Sequence, residues 1–555
     1  MDEICGNGYA VYLEQPGWRE GALGLHYWIP DWQPLPLVFE TGRWTDEGLA
    51  NLPGHWAVID LRGDAPQLIV DRQRSRPLVC SKVDGRWYIA DNVEALRGKI
   101  PFVPDVEAAA VFRHFGHTLS SRTLLDGVFD TPAASVATLA DTATFRSYLR
   151  FSVAENPITD VEEYEATFTK ALDSAIGRLI EEADGRQLVV PISAGLDSRA
   201  ILTWLKRLGA QNVLAYSYGL ADAPERPVSQ AVAEALGFPF EFVEYTASDV
   251  RDAWATSESN EYQRASWGGT SLPHKQDWYA VRQLKASGKI QEDAVVLPGH
   301  TVPAAAAGKI IYESPRDLDV VGAQLASTAG SQQGQPGYVV NHPVFRDALQ
   351  EAAEQVGFGE WERDNLNLWQ WFSLRERQAK FISNSVRVYE NFDLGWALPL
   401  HEPEVWDARL SGSDELTLAR SGYRKMIENK FAEVASFPVP VGVPPMPEAR
   451  RSLWAMTVGR TRFARPLERF KAQAFGTRRQ VPSPFATESY APRMSVREWF
   501  GRNPNQTRNG RAADAMLMGQ TGMGYSLFDA GRTIDIRQLE RDAKEAIAEQ
   551  TISAK

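Results

Sequence analysis

A short apolar run, a turn of small residues and an amphipathic helix follow one another between residues 187 and 209, and this order limits the chain to few folds. The run at 188–192 (LVVPI) is typical of a short, fully buried strand in a parallel sheet. After the turn, apolar residues recur at helical spacing between 200 and 205. A helix that starts directly after such a strand points its first backbone N–H groups at one place, which favours binding of a phosphate.

The residue types in the turn also suit phosphate binding. Ser193 and Ser198 supply hydroxyl donors, and Gly195 permits close approach to the backbone. Asp197 is the candidate Mg²⁺ ligand. The candidate phosphate-binding residues of this segment are Ile192, Ser193, Ala194, Gly195, Leu196, Asp197 and Ser198. The segment lacks the Gly-Lys-Ser/Thr of a Walker loop, and the alternative is an ordinary strand-to-helix turn in which Ser193 or Asp197 caps the helix.

The order S-A-G-L-D-S-R at 193–199 resembles the S-G-G-x-D-S pyrophosphate loop of the ATP pyrophosphatases, which activate a carboxylate or a carbonyl by adenylation. Alanine in the second place is a small departure, because a methyl group adds little bulk. The resemblance implies ATP and Mg²⁺ as cofactors, with Asp197 as the metal ligand.

Two further segments extend the predicted sheet. Residues 212–219 (NVLAYSYG) have the pattern of a second buried strand, and residues 225–245 that of a helix followed by a third strand. This order predicts a parallel, doubly wound sheet with ligand at the carboxyl ends of its strands. The residues that the resemblance places against the nucleotide are Ser217, Tyr218 and Gly219. Asp222 and Glu225 either belong to the site or only favour the N-terminus of the helix.

Residues 293–309 hold another predicted strand, which ends at Pro298-Gly299-His300. The resemblance implies that Gly299 flanks the nucleotide. Relatives carry Gly-x-x-x-Asp here, and Pro303 occupies the place of the aspartate, which removes one of two carboxylates expected to hold Mg²⁺ and pyrophosphate. His300 is either a polar contact of the site or a structural histidine.

Residues 1–150 have the pattern of short alternating strands, with turns at 62–64 and 84–85. In their order these strands resemble the N-terminal glutaminase-type domain of asparagine synthetases. The residues that carry this resemblance are Asp60, Asp71-Arg72, Pro77-Leu78 and the segment DNVEALRG at 91–98. The resemblance implies a β-rich fold of the N-terminal-nucleophile (Ntn) type.

Glutamine hydrolysis in that family needs a cysteine exposed at the first position, where its own α-amino group is the base. Here four residues precede Cys5, and the family's Asn-Gly-Glu motif is missing. Cys5 is therefore a structural or exposed thiol, which we favour, or a nucleophile uncovered by trimming. Cys80 lies in an apolar strand and is expected in the core. We predict a degenerate glutaminase fold without glutamine hydrolysis.

Residues 371–411 resemble the E-R-x-x-K-F-I-x-N-S-x-R-x-Y-E segment of asparagine-synthetase-like proteins. Polar residues recur there at near-helical spacing, which predicts a site wall on one helix face. The candidate catalytic residues, which the resemblance implies orient the acyl group, are Lys380, Arg387 and Tyr389. Gly395 and Ala397 stand where the family has Glu and Arg, so the family's catalytic glutamate is absent. The alternative is an ordinary salt-bridged helix.

The total length of 555 residues exceeds what one hydrophobic core supports. We predict a glutaminase-like domain at 1–150, an ATP pyrophosphatase domain at 151–435, and a C-terminal region at 436–555 with a Pro-rich linker, a basic segment and a terminal helix. The basic segment at 450–480 is either a patch for an acidic partner or, as we favour, a helix lying on the acidic body.

Net charge and composition exclude several classes of function. The formal net charge of −12 makes nucleic acid an unlikely partner. No apolar run reaches the ~20 residues of a membrane span, and no signal pattern opens the sequence. Two cysteines do not make a disulfide framework, so we expect a cytoplasmic protein.

The sequence thus predicts an α/β protein with an Ntn-glutaminase-like β-rich domain, a doubly wound parallel-sheet ATP pyrophosphatase domain (adenine nucleotide α-hydrolase-like) and an extra C-terminal region. The resemblance implies an AMP-forming carbon–nitrogen ligase related to asparagine synthetase, β-lactam synthetase and lasso-peptide cyclase. Its expected partners are ATP, a small-molecule or peptide carboxylate and an amine or ammonia, with a homo-oligomer left open. The alternative is a catalytically impaired relative that binds nucleotide or a partner without turnover.

Overall fold

The computed structural model describes residues 2–6, 8–21, 24–300, 307–334, 336–360, 363–443, 506–519 and 526–553. The strands of its N-terminal part are β1 (Asp2–Gly6), β2 (Tyr9–Leu13), β3 (Trp18–Glu20), β4 (Leu25–Trp28), β5 (Ala57–Asp60), β6 (Gln67–Val70), β7 (Val79–Val83), β8 (Arg86–Ala90), β9 (Val128–Asp130), β10 (Ser135–Leu139) and β11 (Ala143–Ser147). The helices of this part are α1 (Leu37–Thr41), α2 (Asp46–Ala50) and α3 (Val106–Phe115).

Two sheets face each other in the N-terminal part, with strand orders β1-β2-β8-β7-β9 and β11-β10-β6-β5-β4-β3. Val11 and Ile89 of the first sheet share a core with Ile59 and Leu68 of the second, because alternate residues of each strand point inward. The helix α3 covers the outer face of the first sheet through Phe112. This arrangement confirms the β-rich N-terminal fold that the sequence predicts.

The turn between β7 and β8 shows how local sequence sets strand pairing. Asp84 and Gly85 have φ angles of 49° and 79°. Two successive positive φ angles match the twist of a two-residue hairpin, and Asp-Gly is a preferred pair for such a turn. The turn predicted at 84–85 is confirmed.

The second unit is built on five parallel strands. They are β12 (Leu188–Pro191), β13 (Val213–Gly219), β14 (Phe240–Glu244), β15 (Val295–Val296) and β16 (Gly395–Trp396). Its helices are α4 (Val161–Ala183), α5 (Leu196–Arg207), α6 (Arg226–Leu236), α7 (Ala247–Trp254), α8 (Ser257–Ser266), α9 (Trp278–Ala286), α10 (Lys309–Glu313), α11 (Leu318–Thr328), α12 (Pro336–Val340), α13 (Pro343–Val356), α14 (Asp364–Phe372), α15 (Arg387–Asn391), α16 (Pro403–Leu410), α17 (Asp414–Thr417) and α18 (Ser421–Val434).

Helices cover both faces of this sheet. Val190 of β12 belongs to a core formed with α4, α5 and α6. Val189 belongs to a second core, formed with α7, α9 and α15. Successive residues of a strand point to opposite faces, so a strand that is buried on both faces is apolar throughout. The predicted doubly wound α/β fold is confirmed.

The strand order β14-β13-β12-β15-β16 places a crevice at the carboxyl end of β12. The chain adds β13 and β14 on one side of β12 and then returns to pair β15 with its other side. In open parallel sheets, ligands bind where the loops after two neighbouring strands diverge in this way. The residues that follow β12 and β15 therefore flank the expected site.

The helix predicted around residues 377–389 is divided in the structure. The helix α14 ends at Phe372, a π-helix spans Ser373–Ile382, a 3₁₀ turn spans Ser383–Val386, and α15 begins at Arg387. A change of helix type alters the rotation per residue, so side chains at regular helical spacing no longer share one face.

The first residues of the predicted Pro-rich linker dock onto the second unit. Ser436 N–H donates to the Ala235 carbonyl at 2.8 Å, and Val439 and Val441 pack against the core of α4, α5 and α18. An extended Pro-rich chain makes no internal hydrogen bonds, so its carbonyl groups are available to other partners. We call residues 436–443 the strap.

The two units meet in a polar interface. Leu398 N–H donates to His55 Nε2 at 3.1 Å, and Gly54 N–H donates to Glu402 Oε2 at 3.1 Å. Arg178 also pairs with Glu402, at 2.6 Å. Burial nevertheless raises the pKa of the Glu402 carboxyl from 4.5 to about 7.

Two helices of the C-terminal region complete the described chain, α19 (Arg508–Leu517) and α20 (Ile536–Ser553). Asp514 of α19 pairs with Arg113 of α3, so this region returns to the N-terminal unit. The predicted terminal helix is confirmed by α20. The basic segment at 450–480 and Pro303 lie outside the described residues. Among the helices of the described ranges, none is long and apolar enough to cross a membrane.

Candidate active site

The turn at 193–198 is closed by its own hydroxyl groups. Ser193 N–H donates to Ser198 Oγ at 3.2 Å, and Gly195 N–H donates to Ser193 Oγ at 3.2 Å. Gly195 caps α5 with extended backbone angles (φ −78°, ψ 177°). A Cβ at this position would contact Ser193 Oγ and otherwise enter open space. The turn is therefore preformed, and its open side lies next to Gly195.

Gly299, which follows β15, touches the turn from across the crevice. A Cβ at Gly299 would lie 2.7 Å from the backbone nitrogen of Ser198, so only glycine fits there. This close approach joins the loops after β12 and β15 at the point where the strand order reverses. Gly299 thus stands beside the turn, while its contact with a nucleotide stays a prediction.

A carboxylate already lies near the backbone of the turn. Burial raises the pKa of the carboxyl of Glu225, the residue before α6, and the nearby Ala194 N–H lowers it by less. Backbone N–H groups near a helix N-terminus attract anions, and Glu225 supplies one from within the chain. Of the two acidic residues singled out by sequence, Glu225 is the one near the turn, whereas Asp222 is exposed.

Asp197, the predicted metal ligand, forms an ion pair with Arg420, and the side chains of both residues are largely buried. The Arg420 guanidinium also lies over the ring of Tyr423, 4.8 Å from its centroid. Ala419 and Arg420 both have left-handed backbone angles, with φ of 53° and 61°. Such angles cost about 1 kcal/mol or more per non-glycine residue and are concentrated at functional sites.

The strap crosses the helix that begins at the turn. Arg199 donates to the carbonyl of Val439 at 2.7 Å and to that of Pro440 at 2.8 Å. Gly442 N–H donates to the Ala194 carbonyl at 2.9 Å. The strap is thereby fixed to both the turn and α5, and it forms one edge of the site.

The end of β13 contributes the residues predicted to lie against the nucleotide. Ser217 is buried, and Tyr218 is partly exposed with its ring stacked on Tyr245 at 5.3 Å between centroids. The Gly219 carbonyl accepts a hydrogen bond from Tyr245 N–H at 2.6 Å. These residues lie at the same carboxyl edge of the sheet as the turn.

Comparison with known families identifies this part of the chain. Residues 167–259 match the family described as asparagine synthase, and the match runs from α4 through the turn, β13 and β14 into α8. This match is to part of the second unit, which we name the asparagine synthetase domain after it. Comparison with curated proteins finds no match to the chain. The matched family comprises ligases that use ATP to form amide bonds.

Two of the three predicted catalytic residues lie at the interface between the asparagine synthetase domain and the N-terminal unit. The Lys380 ammonium, fully buried, donates to Glu376 at 2.9 Å and to the carbonyls of Thr118 and Ser120. The Arg387 guanidinium binds Glu390 at 2.6 Å and the carbonyl of Ser75. Burial lowers the pKa of Arg387 to about 10.

Both cations are held by partners in or near the N-terminal unit, whereas Asp197 is held by Arg420. Lys380 lies within the π-helical stretch before α15, where side chains do not keep regular helical spacing. That Lys380 and Arg387 orient the acyl group stays a prediction.

Tyr389, the third predicted catalytic residue, lies under the carboxyl edge of the sheet of the asparagine synthetase domain. Its hydroxyl donates to Asp277 Oδ2 at 2.9 Å, and the other oxygen of Asp277 lies 3.1 Å from His274 Nε2. Burial raises the pKa of Tyr389 well above 10, which keeps the phenol protonated. Tyr389 thus contacts Asp277, and its action on a substrate stays a prediction.

His300 joins this polar group from the loop after Gly299. Its Nε2 lies 2.9 Å from Ser385 Oγ, and burial, followed by the charges of His401 and His274, lowers its pKa to about 3. The imidazole in this position is neutral and hydrogen-bonded. The contact with Ser385 fits both interpretations left open by sequence, and a role of His300 in the site stays a prediction.

The residues present fit a bound nucleotide and, at one position, a metal ion. The Ala194 N–H of the turn lies near the Glu225 carboxylate, so the turn accepts anions, and Gly299 leaves the space that a side chain would fill. Asp197 is an oxygen ligand of the type Mg²⁺ prefers. Within the described ranges no group of three or more His, Cys, Asp and Glu side chains is arranged to hold a metal. Asp197 would therefore share a Mg²⁺ with phosphate oxygens.

Sequence reasoning missed Arg420, Asp277 and His274. Arg420 is 223 residues from Asp197 along the chain, and no local pattern marks it. Asp277 offered a signal, since an acidic residue directly before an apolar helical pattern is typical of a helix N-cap. Nothing in the sequence distinguishes His274 from a surface histidine.

Proposed function

We propose that this protein is an ATP-dependent amide-forming ligase that activates a carboxylate as an acyl-adenylate. Pyrophosphate leaves in the first step, and ammonia or another amine displaces AMP in the second. The family that residues 167–259 match supports the use of ATP and the formation of an amide. The acyl-adenylate is the inference that we draw from the turn.

One contact carries this proposal, the approach of Gly299 to Ser198 beside the carboxylate of Asp197. The two loops meet at the reversal of strand order, where a parallel sheet binds its ligand. Backbone N–H groups, a helix N-terminus and a carboxylate then converge on one crevice. This combination suits a polyphosphate, because the N–H groups bind its oxygens and the carboxylate binds its metal.

The chain's own groups have separate tasks in the first step. The N–H groups at the start of α5 bind phosphate oxygens, and Gly195 and Gly299 leave room for them. Asp197, once free of its ion pair with Arg420, would hold Mg²⁺. A bound Mg²⁺ supplies charge neutralisation on the phosphates. Tyr218, at the end of β13, borders the nucleotide, and the strap closes the opposite edge.

We further propose that the N-terminal unit does not hydrolyse glutamine. Cys5 lies within β1, where it pairs with Ala10 of β2, and its sulfur accepts a hydrogen bond from Arg86 at 3.2 Å. Its nitrogen is therefore part of a paired strand and not a free amino group. Cys80 is fully buried, and burial strongly raises the pKa of its thiol, so it is no nucleophile. The amine then comes from solution.

The test is AMP and pyrophosphate release from ATP and Mg²⁺ with pooled carboxylates and with ammonia or glutamine as nitrogen source. We expect release that depends on a carboxylate and is supported by ammonia but not by glutamine. Stimulation by glutamine alone would contradict the silent N-terminal unit. Absence of release with every acid would contradict the ligase.

A second candidate is a relative that binds nucleotide without turnover. It is favoured by the lack of space for a side chain at Gly395. A Cβ there would lie 2.9 Å from Trp32 Nε1 and 3.2 Å from Val295 Cγ2, so this fold leaves no room for the glutamate that the family carries. Ala397 is buried and replaces an arginine. ATP binding by calorimetry with no AMP formed from any acid would support this candidate.

A further inference from the structure

The asparagine synthetase domain lacks the family's glutamate at Gly395, yet an acyl-transfer step with ammonia needs a base. Ammonia is largely protonated at neutral pH, and the nitrogen that attacks must lose a proton as the amide forms. Among the described residues, His274 lies beside a carboxylate and is partly open to solvent.

His274 is oriented by a carboxylate. Its Nε2 lies 3.1 Å from Asp277 Oδ1, and 28% of its side chain is exposed whereas only 4% of the Asp277 side chain is. This is an ion-pair distance without a hydrogen bond, since Asp277 Oδ1 has no hydrogen-bond partner among the described residues. Catalytic hydrogen bonds are often loose in structures without substrate, and a carboxylate that accepts from one ring nitrogen leaves the other nitrogen to accept a proton. The remaining oxygen of Asp277 accepts from the Tyr389 hydroxyl at 2.9 Å. The array thus consists of a candidate base, His274, a carboxylate that orients it, Asp277, and a phenol that anchors the carboxylate, Tyr389.

The loop that carries this array is held rigidly. Tyr262 Oη donates to the His274 carbonyl at 2.5 Å, and Tyr245 Oη donates to the Gln276 carbonyl at 2.9 Å. Asp277 directly precedes α9, whose N-terminus stabilises a negative charge. Fixed backbone positions on both sides of His274 preorganise its imidazole, which catalysis by a general base requires.

The array lies near the carboxyl end of β13. Tyr218 of β13 stacks on Tyr245 at 5.3 Å between ring centroids, and the Tyr245 hydroxyl donates to the carbonyl of Gln276, the neighbour of Asp277. Asp277 also raises the pKa of Tyr216, two residues before Tyr218, after the larger effect of burial. The array is therefore linked to the end of β13 that is expected to border the nucleotide.

We propose that His274 is the general base of the amide-forming step, with Asp277 and Tyr389 as positioning residues; this inference rests on the proposed ligase function. The amine nitrogen attacks the acyl carbon, and the bond from that carbon to the adenylate oxygen breaks. AMP leaves with the electron pair of that bond. The proton of the attacking nitrogen passes to the free ring nitrogen of His274. No oxidant or further reactant is needed.

Hydroxylamine separates the base from the adenylation chemistry. Hydroxylamine is unprotonated at neutral pH and attacks acyl-adenylates without a base, whereas ammonia needs one. We therefore compare hydroxamate and amide formation by wild type and His274→Gln, using the carboxylate that gives most pyrophosphate release. The variant is expected to form hydroxamate within about twofold of wild type and to lose amide formation about 100-fold.

Asp277→Asn should lose amide formation selectively in the same way, and Tyr389→Phe should do so to a smaller degree. His342→Gln is the matched control, because His342 lies 3.4 Å from Glu107 in another His–carboxylate pair and should leave both products unchanged. Wild-type formation of hydroxamate also shows that adenylation occurs.

Three outcomes would overturn the proposal. Equal loss of both products in His274→Gln would mean a structural role, and no loss of either would mean that His274 is not the base; both results leave the ligase function standing. A wild-type chain that forms neither product would overturn the ligase function, and the assignment of His274 with it.

Discussion

The guanidinium of Arg420 pairs with the carboxylate of Asp197, the residue through which the pyrophosphate loop is expected to hold Mg²⁺. A cation therefore already neutralises this carboxylate in the described structure. The backbone N–H of Ala194 likewise lies near a carboxylate, that of Glu225. Arg420 and Glu225 must both be displaced when phosphate and metal bind. Binding therefore replaces existing electrostatic contacts and does not only add new ones.

Removing Arg420 should make Asp197 more available to Mg²⁺. We expect Arg420→Met to lower the Mg²⁺ concentration that half-saturates ATP binding by about fivefold, since a partly buried ion pair is worth about 1 kcal/mol. Titration calorimetry with ATP at varied Mg²⁺ measures this. Arg424→Met is the control, because Arg424 is half-exposed and its ion pair with Glu428 is long, at 3.9 Å. A weaker Mg²⁺ dependence in Arg420→Met would show that Arg420 binds the phosphates instead.

The backbone that presents Arg420 should be strained at Ala419, which is exposed and has a φ of 53°. Ala419→Gly relieves a left-handed conformation and is expected to raise the free energy of unfolding by about 0.5–1 kcal/mol. Ala166→Gly, at an exposed position within α4, should instead lower it by about 1 kcal/mol. Urea denaturation distinguishes the two, and equal destabilisation would contradict the strain.

The contact between Gly299 and Ser198 should tolerate no side chain. Gly299→Ala would place a Cβ 2.7 Å from a backbone nitrogen, so the turn must shift, and we expect ATP affinity to fall at least tenfold. Gly177→Ala adds the same methyl group within α4, where no atom lies within 4 Å, and should leave ATP binding unchanged. Unaltered binding in Gly299→Ala would remove Gly299 from the site.

Glu402 predicts a pH dependence of stability. Burial raises its pKa from 4.5 to about 7, so between these values the folded chain retains a proton that the unfolded chain releases. Stability from this group is therefore present below about pH 4.5 and is lost as pH rises to about 7. Glu402→Gln removes the titrating carboxyl. Across this pH range the stability of the variant relative to wild type should therefore rise by up to roughly 3 kcal/mol. The measurement is the melting temperature of both proteins from pH 5 to pH 8. A difference between the two melting temperatures that stays constant over this range would contradict the prediction.

Local sequence was sufficient to predict the strand, turn and helix at 188–207, and insufficient to predict the residues that contact this turn. The strand β12, the turn and α5 are contiguous, so hydrophobic pattern and small residues define them without tertiary information. Arg420 and the strap meet the loop from more than 200 residues away. No pattern within one segment encodes such a meeting.

The polar residues after Phe372 show a second limit. Regular spacing identified Lys380, Arg387 and Tyr389 as special, and all three are buried in polar networks. Spacing cannot show that a π-helix interrupts the segment, and so it assigned these residues to one face. Lys380 lies within the π-helix, whereas Arg387 and Tyr389 both lie in α15, after the irregular turns.

The most direct measurement is carboxylate-dependent pyrophosphate release by wild type and by Asp197→Asn, with Asp173→Asn as control. Asp173 pairs with Arg207 on the surface, 3.1 Å away, and carries the same change of charge. We predict AMP and pyrophosphate from wild type and Asp173→Asn, and a loss of at least 100-fold in Asp197→Asn. Equal release by all three proteins, or none from wild type with any acid, would contradict an adenylating site at this loop.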